Sequence, residues 1–488
     1  MEAMRLLLRV NAFLFAAAIG LVLTTCLPTN ALTVLHTFSA LEGPLSTNSD
    51  GYFTHADLVL SGNLLYGTAA SGGANGYGTI FSINTDGTGF TVLHSFTGAS
   101  DGSIPNADLV LCGGTLYGLV GSGTNRDGYG SIFSMCTNGN NFNILYKFTD
   151  SANGSISYPN GGLIMCDGTL YGTMWQGGIS NQGTIFSVNT NGGFTLLHQF
   201  AQYTDGQNPL GRLVLANGTL YGTARNYGTN GVTGGTVFSI STNGQNFTVL
   251  HYFLRAAQVS GTNLDGFTPN AGLIVNGNTL YGTTAFGGNY NDGTVFAITT
   301  NASVYSILHS FNVDAGEGKL PNGEMVLAGD TLYGTTYGNG GGLSGTIYSV
   351  NTNGSSFTTL HTFSSNDDGT NWDGAQPSDR PALVGNVLYG TALMGGLFGG
   401  GTIFSQPIVP LISSVNISGA NVTLNAIEGM ENESCTVLES PSLSTPLKLW
   451  TPLATNILAG GGDFSVTVTN AVNPAAAQGF YTLQITPP

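Results

Sequence analysis

A block of about fifty residues recurs seven times along the chain, and this repetition constrains the fold more than any other feature. Each copy carries Leu-Tyr-Gly, then a glycine-rich stretch, then Gly-Thr or Gly-Ser followed by an aliphatic and an aromatic residue. The tyrosines of the seven copies are spaced by 51, 54, 50, 60, 52 and 56 residues: Tyr66, Tyr117, Tyr171, Tyr221, Tyr281, Tyr333 and Tyr389. A period near 50 is typical of repeat architectures, in which one supersecondary unit is used many times.

Each repeat contains four short runs of strand character, which we name strands a, b, c and d. In the first repeat these are Ala56–Leu60, Leu64–Thr68, Thr79–Ile83 and Phe90–Phe96, rich in aliphatic, aromatic and Thr residues. Short Asn/Asp-Gly turns join a to b and c to d, as in β-hairpins, whereas the b-to-c and d-to-a connections are long and variable. Four antiparallel strands in about 50 residues are typical of a propeller blade of kelch type.

The two ends of the repeat region predict how the blades are completed. Six strands d end at the phenylalanines Phe96, Phe148, Phe200, Phe253, Phe311 and Phe363. A seventh run of this kind, Leu32–Phe38, precedes the first repeat, while the last repeat has strands a, b and c but no d before Pro407. An all-β fold follows: a seven-bladed β-propeller over residues 32–408, closed by its own N-terminal strand so that no blade edge stays open.

The segments outside the repeats predict export and a second domain. Arg5 and Arg9 followed by the apolar run Val10–Leu23 indicate a signal peptide over residues 1–31. Lipidation at Cys26 is disfavoured because Thr25 is a poor residue before it, and no transmembrane segment is expected in the mature chain. After a linker at 409–414, alternating strands predict a small C-terminal β-sandwich over 415–488.

Charge and cysteine content exclude several classes of protein. The chain has a net charge of −16, and outside the leader 8 basic residues (10 minus Arg5 and Arg9) face 25 acidic ones (26 minus Glu2). A nucleic-acid partner is excluded because phosphate neutralisation needs a basic surface. The irregular spacing of the other cysteines indicates buried small side chains and leaves their disulfide state open: Cys112, Cys136, Cys166 and Cys435.

The repeated block resembles the GloVer tandem repeat of exported bacterial proteins, whose members vary in their C-terminal anchor. The resemblance covers Leu32–Gln406. The tail, with Thr436–Glu439, Trp450–Leu453 and Phe480–Leu483, resembles a small β-domain appended to secreted proteins of the same bacterial groups, and its end at Gln484–Pro488 lacks the apolar helix of the anchored members. The resemblance implies export and a repeat scaffold, and it implies no activity.

Two recurrent polar positions are candidates for metal sites. Six histidines share one position in strand d: His36, His94, His198, His251, His309 and His361. Histidines placed one per blade lie too far apart to share a zinc ion, whose ligands lie within about 2.0–2.3 Å of the metal. His94 shares a strand face with Val92 and Phe96, which predicts that the histidines pack between blades.

The d-to-a loops repeat Asp-Gly-x-x-Pro-Asn, as at Asp101–Asn106. One interpretation is that these carboxylates form a ring that binds calcium or polar ligands. The other is that Asp-Gly forms the turn of the loop and the Asn caps the next strand by hydrogen bonds to its backbone. We favour the turn, and predict no metal and no cofactor.

The b-to-c loops differ between blades and supply the predicted ligand-binding residues: Trp175, Arg126, Arg225, Tyr227, Phe286, Tyr290 and Tyr337. Exposed aromatics beside amides and charges suit a sugar face or an extended chain. Trp175 is the most specific of them, since we align it with smaller residues in most other copies: Ala70, Val120, Ala224, Ala285, Tyr337 and Leu393.

These observations favour an exported, non-catalytic and monomeric binding or scaffold propeller whose partner is an extracellular glycan or protein, held on the rim of the b-to-c and d-to-a loops. No catalytic residue is predicted, because no nucleophile motif is present. Two alternatives stay open. One is a polysaccharide-degrading enzyme using rim carboxylates such as Asp127, Asp292, Asp314 or Glu317, although no spacing singles out a pair. The other is a purely structural or adhesive surface protein.

Overall fold

The protein is an all-β chain whose repeats form a seven-bladed propeller. A computed structural model describes residues 8–11, 32–54, 57–121, 130–148, 161–201, 203–228, 233–254, 263–338, 344–364, 370–408, 411–418, 421–429, 434–440, 451–457, 462–468 and 478–486. In these residues the one helical element is a 3-10 turn at Val313–Ala315. No helix in this part of the chain has the length and apolarity that crossing a bilayer requires.

Each blade is a four-stranded antiparallel sheet in the order a, b, c, d. The strands of blades 1 to 3 are Val59–Ser61, Leu64–Ala69, Thr79–Asn84 and Thr91–Ser95; Val110–Cys112, Thr115–Val120, Ser131–Cys136 and Asn143–Lys147; and Ile164–Cys166, Thr169–Met174, Thr184–Asn189 and Phe194–Gln199. The strands of blades 4 to 6 are Val214–Ala216, Thr219–Ala224, Thr233–Ser241 and Thr248–Leu254; Ile274–Asn276, Thr279–Thr284, Thr294–Thr299 and Tyr305–Ser310; and Val326–Ala328, Thr331–Thr336, Thr346–Asn351 and Thr358–Thr362. Blade 5 also carries a two-stranded sheet of Asn263–Phe267 and Phe286–Gly288.

Blade 7 contains strands a, b and c at Ala382–Val384, Val387–Ala392 and Thr402–Pro407. Strand c pairs antiparallel with Thr33–Thr37, in a register that places Thr33 opposite Ser405 and Thr37 opposite Thr402. The N-terminal segment therefore occupies the position that strand d holds in the other six blades.

The repeated motif owes its glycine to a close approach between strands b and c. Gly67 lies opposite Phe81, and a Cβ atom at Gly67 would stand 2.5 Å from Cζ of that ring. A Cβ atom at Gly390 in blade 7 would likewise stand 2.5 Å from Cζ of Phe404. The Leu-Tyr-Gly and Gly-Thr-Ile-Phe elements of each repeat are thus two halves of one packing contact, and any side chain at the glycine would displace the buried ring.

The hydrophobic core lies between neighbouring blades. In one such layer Tyr66, Ile80 and Phe96 of blade 1 pack against Phe133 and Met135 of blade 2. Equivalent clusters join the later blades, and one of them joins blade 7 to blade 1. Each blade therefore buries its apolar faces only by contact with its two neighbours.

Residues 411–486 and the N-terminal strand Leu8–Asn11 contribute two further sheets. One contains Leu411–Ser418, Asn421–Gly429 and Gly462–Val468, and its first strand begins within the predicted linker. The other contains Thr451–Ile457, Ser434–Ser440, Gln478–Thr486 and Leu8–Asn11, the last from the segment predicted as a signal peptide.

Three of the four cysteines outside the leader lie in described strands with their side chains characterised. Cys112 is exposed, and Cys136 and Cys166 are half-buried, so the expectation of buried small side chains is wrong for them. All three are free thiols. They lie at the ends of strands a and c, beside the tight hairpin turns, and Cys166 also packs against the core cluster between blades 3 and 4.

Candidate functional site

The exposed apolar side chains of the propeller are concentrated on one rim. Twelve large apolar side chains of the described residues are exposed, and eleven of them lie at the b-to-c or d-to-a loops: Leu45, Tyr77, Ile104, Ile179, Tyr203, Leu254, Leu264, Tyr290, Trp372, Leu397 and Phe398. Only Val304 lies at a c-to-d turn. Since such side chains cluster where proteins meet partners, the long-loop rim is the candidate interaction face.

The structure separates the predicted rim residues from one another. Arg225 and Tyr337 line a shared cavity. Phe286 stacks on Phe267 of its own blade, with ring centroids 5.3 Å apart, and Tyr227 meets Tyr203 edge-on at 5.6 Å.

Two other predicted residues differ in exposure. Tyr290 is 56% exposed, while Trp175 is half-buried and its carbonyl accepts a hydrogen bond from Asn208 Nδ2 at 2.8 Å. Arg126, like Asp127, lies outside the described residues.

The strand ends correct the alignment around Trp175. The first residue after strand b is Trp175 in blade 3, and its counterparts are Ala70, Gly121, Arg225, Ala285, Tyr337 and Leu393. Val120 and Ala224, expected at this position, are instead the last residues of their strands. Trp175, Arg225 and Tyr337 are therefore three large side chains at one repeat position, where the other blades carry Ala, Gly or Leu.

A ring of charged side chains lies at the centre of the propeller, at the position two residues before strand a. The seven blades place Asp57, Asp108, Gly162, Arg212, Gly272, Glu324 and Arg380 there. Arg212 of blade 4 binds Glu324 of blade 6 at 2.8 Å, across the intervening blade. Because this contact joins blades that are not neighbours, the side chains meet near the axis. We call the five charged members the charge ring.

The remaining contacts connect the other members of the charge ring to this pair. Arg380 Nε lies 3.1 Å from Asp57 Oδ2, and its Nη1 lies 3.6 Å from Glu324 Oε1. The backbone N–H of Asp57 donates to Asp108 Oδ1 at 3.0 Å. The two glycine positions leave room for neighbouring carboxylates, since a Cβ at Gly162 would lie 2.3 Å from Asp108 Oδ2.

Burial governs the protonation of the ring. It raises the pKa of Asp57 well above the usual range, and Asp108 raises it further while Arg380 acts in the opposite direction. Burial also raises the pKa of Asp108. Burial alone would lower the pKa of Arg212, but the carboxylates of Glu324, Asp57 and Asp108 together raise it, so this guanidinium stays charged.

A polar cavity of about 260 Å³ opens above the charge ring on the long-loop rim, and we call it the channel mouth. Besides the charge ring, its lining includes Arg225, Tyr337, Asn270, Asn322 and Ser378. A second cavity of about 630 Å³ runs below it along the apolar strands a, and Arg212 and Arg380 line both. The charge ring thus separates a polar mouth from an apolar channel.

Two buried polar atoms of the mouth have no hydrogen-bond partner in the described part of the chain. They are the donor Nε of Arg225 and the acceptor Oδ1 of Asn270. Asn270 uses its amide group to donate to Asn322 Oδ1 at 2.9 Å, so for this residue the expected cap on strand a is wrong. Unsatisfied buried polar atoms cost free energy unless a ligand or water completes them.

The histidines of strand d are structural, as their spacing predicts. His94 Nε2 lies 3.1 Å from Asp101 Oδ2, and the ring stacks on Phe142 of the next blade at 4.2 Å. The Asp101 carboxylate also accepts from the backbone N–H of Thr97. Glu317 replaces the aspartate in blade 5, where it binds His309 at 2.9 Å.

Such contacts occupy the carboxylates of the Asp-Gly turns and two of the candidates for catalysis, Asp292 and Glu317. The aspartates of the Asp-Gly turns hold the loop and the histidine together, and Asp292 accepts from the backbone N–H of Val313. Among the described residues, no group of three or more His, Cys, Asp or Glu side chains is arranged to hold a metal ion.

Acid is expected to weaken these histidine contacts. Burial lowers the pKa of His94 and His309 below the ordinary 6.5, so the unfolded chain binds protons first as the pH falls. Their contribution is present above pH 6.5 and is lost as the pH falls towards the lowered values. A His94→Gln/His309→Gln variant should therefore show a shallower decline of the free energy of unfolding as the pH falls below 6.5. Urea titrations at a series of pH values measure this, and parallel profiles for variant and wild type would contradict it.

The charge ring and Asn270 were not predicted as site residues, although the sequence contains a signal for the ring. Five of seven residues at one repeat position are charged, in a chain where only 7% of residues are. Trp372 was also missed. It is 55% exposed in a d-to-a loop, where its ring meets His361 edge-on at 6.5 Å.

Comparisons with known proteins agree with this architecture. No curated protein sequence matches the chain. The GH74 enzyme of Niastella koreensis is similar over 90% of this chain and 73% of its own, with 13% identity and a TM-score of 0.50. An oligogalacturonate lyase in complex with manganese is similar over 78% and 96%, with 12% identity and a TM-score of 0.48. PorZ, a surface component of the type-IX secretion system of Porphyromonas gingivalis, is similar over 88% and 56%, with 14% identity and a TM-score of 0.45.

At 13% identity, the likeness to the GH74 enzyme indicates a shared fold and nothing about activity. The family model described as the Gloeobacter/Verrucomicrobia repeat matches residues 15–234 and 228–408, which together span most of the chain. The protein is a member of the Gloeobacter/Verrucomicrobia repeat family.

Proposed function

We propose that this chain is an exported, non-catalytic binding propeller that holds one sugar unit of an extracellular glycan at the channel mouth. The observation that carries the proposal is the pair of buried polar atoms there, Arg225 Nε and Asn270 Oδ1, which lack partners within the described residues. A donor and an acceptor facing one cavity match the hydroxyl groups of a saccharide, each of which donates and accepts.

The size and lining of the mouth support a sugar. Its volume of about 260 Å³ lies just below the roughly 300–1,000 Å³ typical of pockets for drug-sized ligands, so it suits a single unit of a longer chain. Tyr337 supplies an aromatic side chain, while Asn322 and Ser378 add amide and hydroxyl groups. The exposed aromatics of the surrounding rim would contact the units that extend beyond the mouth.

The scaffold is proposed to be a ring closed by its N-terminal strand, with a small β-sandwich after it. The pairing of Thr33–Thr37 with Thr402–Pro407 supports the closure. The leader at residues 1–31 supports export, and the two sheets of the tail support the sandwich.

Substitutions on the rim test where the ligand is held. Tyr337→Ala should weaken glycan binding by about tenfold, because Tyr337 lines the mouth. An aromatic stacked on a nucleobase contributes roughly 1–3 kcal/mol, and a sugar face contributes that or less. Tyr290→Ala is the control, because Tyr290 is exposed on the same rim and does not line the mouth. A glycan array identifies the ligand, and calorimetry then compares the variants.

Three outcomes would overturn parts of this proposal. Loss of binding in Tyr290→Ala alone would move the ligand to the outer rim. Binding to no glycan or envelope fraction would favour a structural spacer. Release of product from a bound polysaccharide, abolished by a single Asp→Asn change, would make the protein an enzyme.

A further inference from the structure

Arginine is concentrated at the channel mouth of a chain that contains little of it. Outside the leader there are five arginines (seven minus Arg5 and Arg9), and three of them, Arg212, Arg225 and Arg380, line this cavity. The chain as a whole carries a net charge of −16. In an acidic protein, arginines that share one cavity are expected to bind carboxylates, either the protein's own or those of a ligand.

Two of these arginines are occupied by the protein's own carboxylates. Arg212 binds Glu324 at 2.8 Å, and Arg380 binds Asp57 at 3.1 Å. Both are held in the charge ring, on the floor of the mouth. Their charges are balanced there, and they are not available to a ligand without breaking the ring.

Arg225 differs from both. Within the described residues no carboxylate forms an ion pair with its guanidinium, and its buried Nε has no hydrogen-bond partner. Its main chain is fixed, because its N–H donates to Asn208 O. The blade therefore presents a positioned cation at the wall of the cavity, with no ion-pair partner among the described residues. It lies in the same cavity as Asn270 Oδ1, which has no hydrogen-bond partner in the same part of the chain.

We infer that the sugar held at the channel mouth carries a carboxylate, as a uronic acid does, and that Arg225 binds it. This inference rests on the proposed function. A guanidinium binds a carboxylate through two parallel charge-assisted hydrogen bonds, and Nε is one of the donors used in that geometry. Asn270 Oδ1 would accept from a hydroxyl of the same sugar, because a carboxylate offers it no donor.

A sugar acid explains the lining better than a peptide carboxylate does. Arg225 shares the mouth with the carboxylates of the charge ring and of Asp379, and with amides, a hydroxyl and Tyr337. These neutral polar groups suit a ring bearing several hydroxyl groups. A peptide terminus would bring one carboxylate and an apolar or variable side chain, for which the mouth has few apolar contacts.

The test compares matched sugars on the full chain. Glucuronate and galacturonate, free or as short oligomers, are titrated by calorimetry beside glucose and galactose at fixed ionic strength. The acids should bind at least about tenfold more tightly than the neutral sugars. Arg225→Gln should remove this preference, so that acids and neutral sugars bind this variant with similar, low affinity, and Asn270→Asp should reduce the preference by repelling the carboxylate.

Lys319→Gln is the matched control, since it removes one positive charge near the same rim without touching the mouth. Arg225→Lys keeps the charge and loses the planar pair of donors, so it should fall between wild type and Arg225→Gln. Urea unfolding of each variant verifies that the propeller is intact.

Failure of the inference and failure of the proposed function would give different binding results. Equal binding of acid and neutral sugars, unchanged in Arg225→Gln, would overturn the inference and leave the glycan site standing. Acetate or a peptide with a free C-terminus binding as tightly as the uronates would replace the sugar acid by a simple anion or a peptide. Failure of every sugar, oligomers included, would overturn both the inference and the proposed function.

Discussion

Removal of residues 32–38 is expected to abolish the cooperative unfolding of the propeller and to make the protein aggregate. Without this segment, strand c of blade 7 loses its partner and exposes a row of unpaired N–H and C=O groups, which pair readily with another chain. The deletion also removes Leu32 and Phe38, 4% and 0% exposed. Truncating one buried Phe costs about 3–5 kcal/mol, against a total stability of about 5–15 kcal/mol for a domain.

A rearranged chain provides the control. In blades 1 to 6 a tight turn joins strand c to strand d, so residues 32–38 can be moved to follow Pro407 through a copy of the turn Asn351–Gly354, with the tail after them. This chain should regain a single unfolding transition and remain monomeric in gel filtration. If the truncated chain itself unfolds in one transition as a monomer, the N-terminal strand does not hold the ring together.

The blades could be predicted from the sequence because their determinants are local and repeated. The Asp167–Gly168 turn has φ values of 47° and 73°, as a two-residue hairpin turn requires, and it recurs with similar residues in the other blades. Strand a was predicted at Ala56–Leu60 and is formed at Val59–Ser61. The shift has a physical reason, because Asp57 joins the charge ring near the axis instead of the sheet.

The site could be predicted only in part, because it forms between residues that are distant in the sequence. Arg225 and Tyr337 were identified from their loops, but nothing in a linear reading brings Arg212 to Glu324, 112 residues later. Glycines at Gly162 and Gly272 looked like ordinary turn residues, whereas they make room for carboxylates of other blades. An alignment of the seven repeats by strand ends, rather than by the Leu-Tyr-Gly motif alone, exposes the charged position.

Arg380→Met is expected to destabilise the propeller by about 3–5 kcal/mol, the cost of leaving a buried carboxylate without its partner. The Asp57 side chain is 5% exposed, and Arg380 contacts both Asp57 and Glu324. Removing the guanidinium thus leaves two carboxylates facing each other across the axis. The Asp57→Asn/Arg380→Met double variant should recover much of the loss, because an amide needs no countercharge.

The loss of stability in Arg380→Met should also depend on pH. The pKa of Asp57 is raised in the folded state above the ordinary 3.8, so below that pH the carboxyl is neutral whether folded or unfolded. The loss in Arg380→Met should therefore be small near pH 3.8 and grow as the pH rises through the higher folded-state pKa. Urea unfolding across this range measures it.

Arg225→Met is the matched control, because it removes an arginine of the same cavity that has no carboxylate partner in the described residues. Its effect on stability should stay below about 1 kcal/mol. If the two variants lose equal stability, or if the loss in Arg380→Met does not change with pH, then the charge ring does not stabilise the axis. In that case the charges at this position would have to be explained by the ligand, and Arg380 would join Arg225 as a candidate contact for its carboxylate.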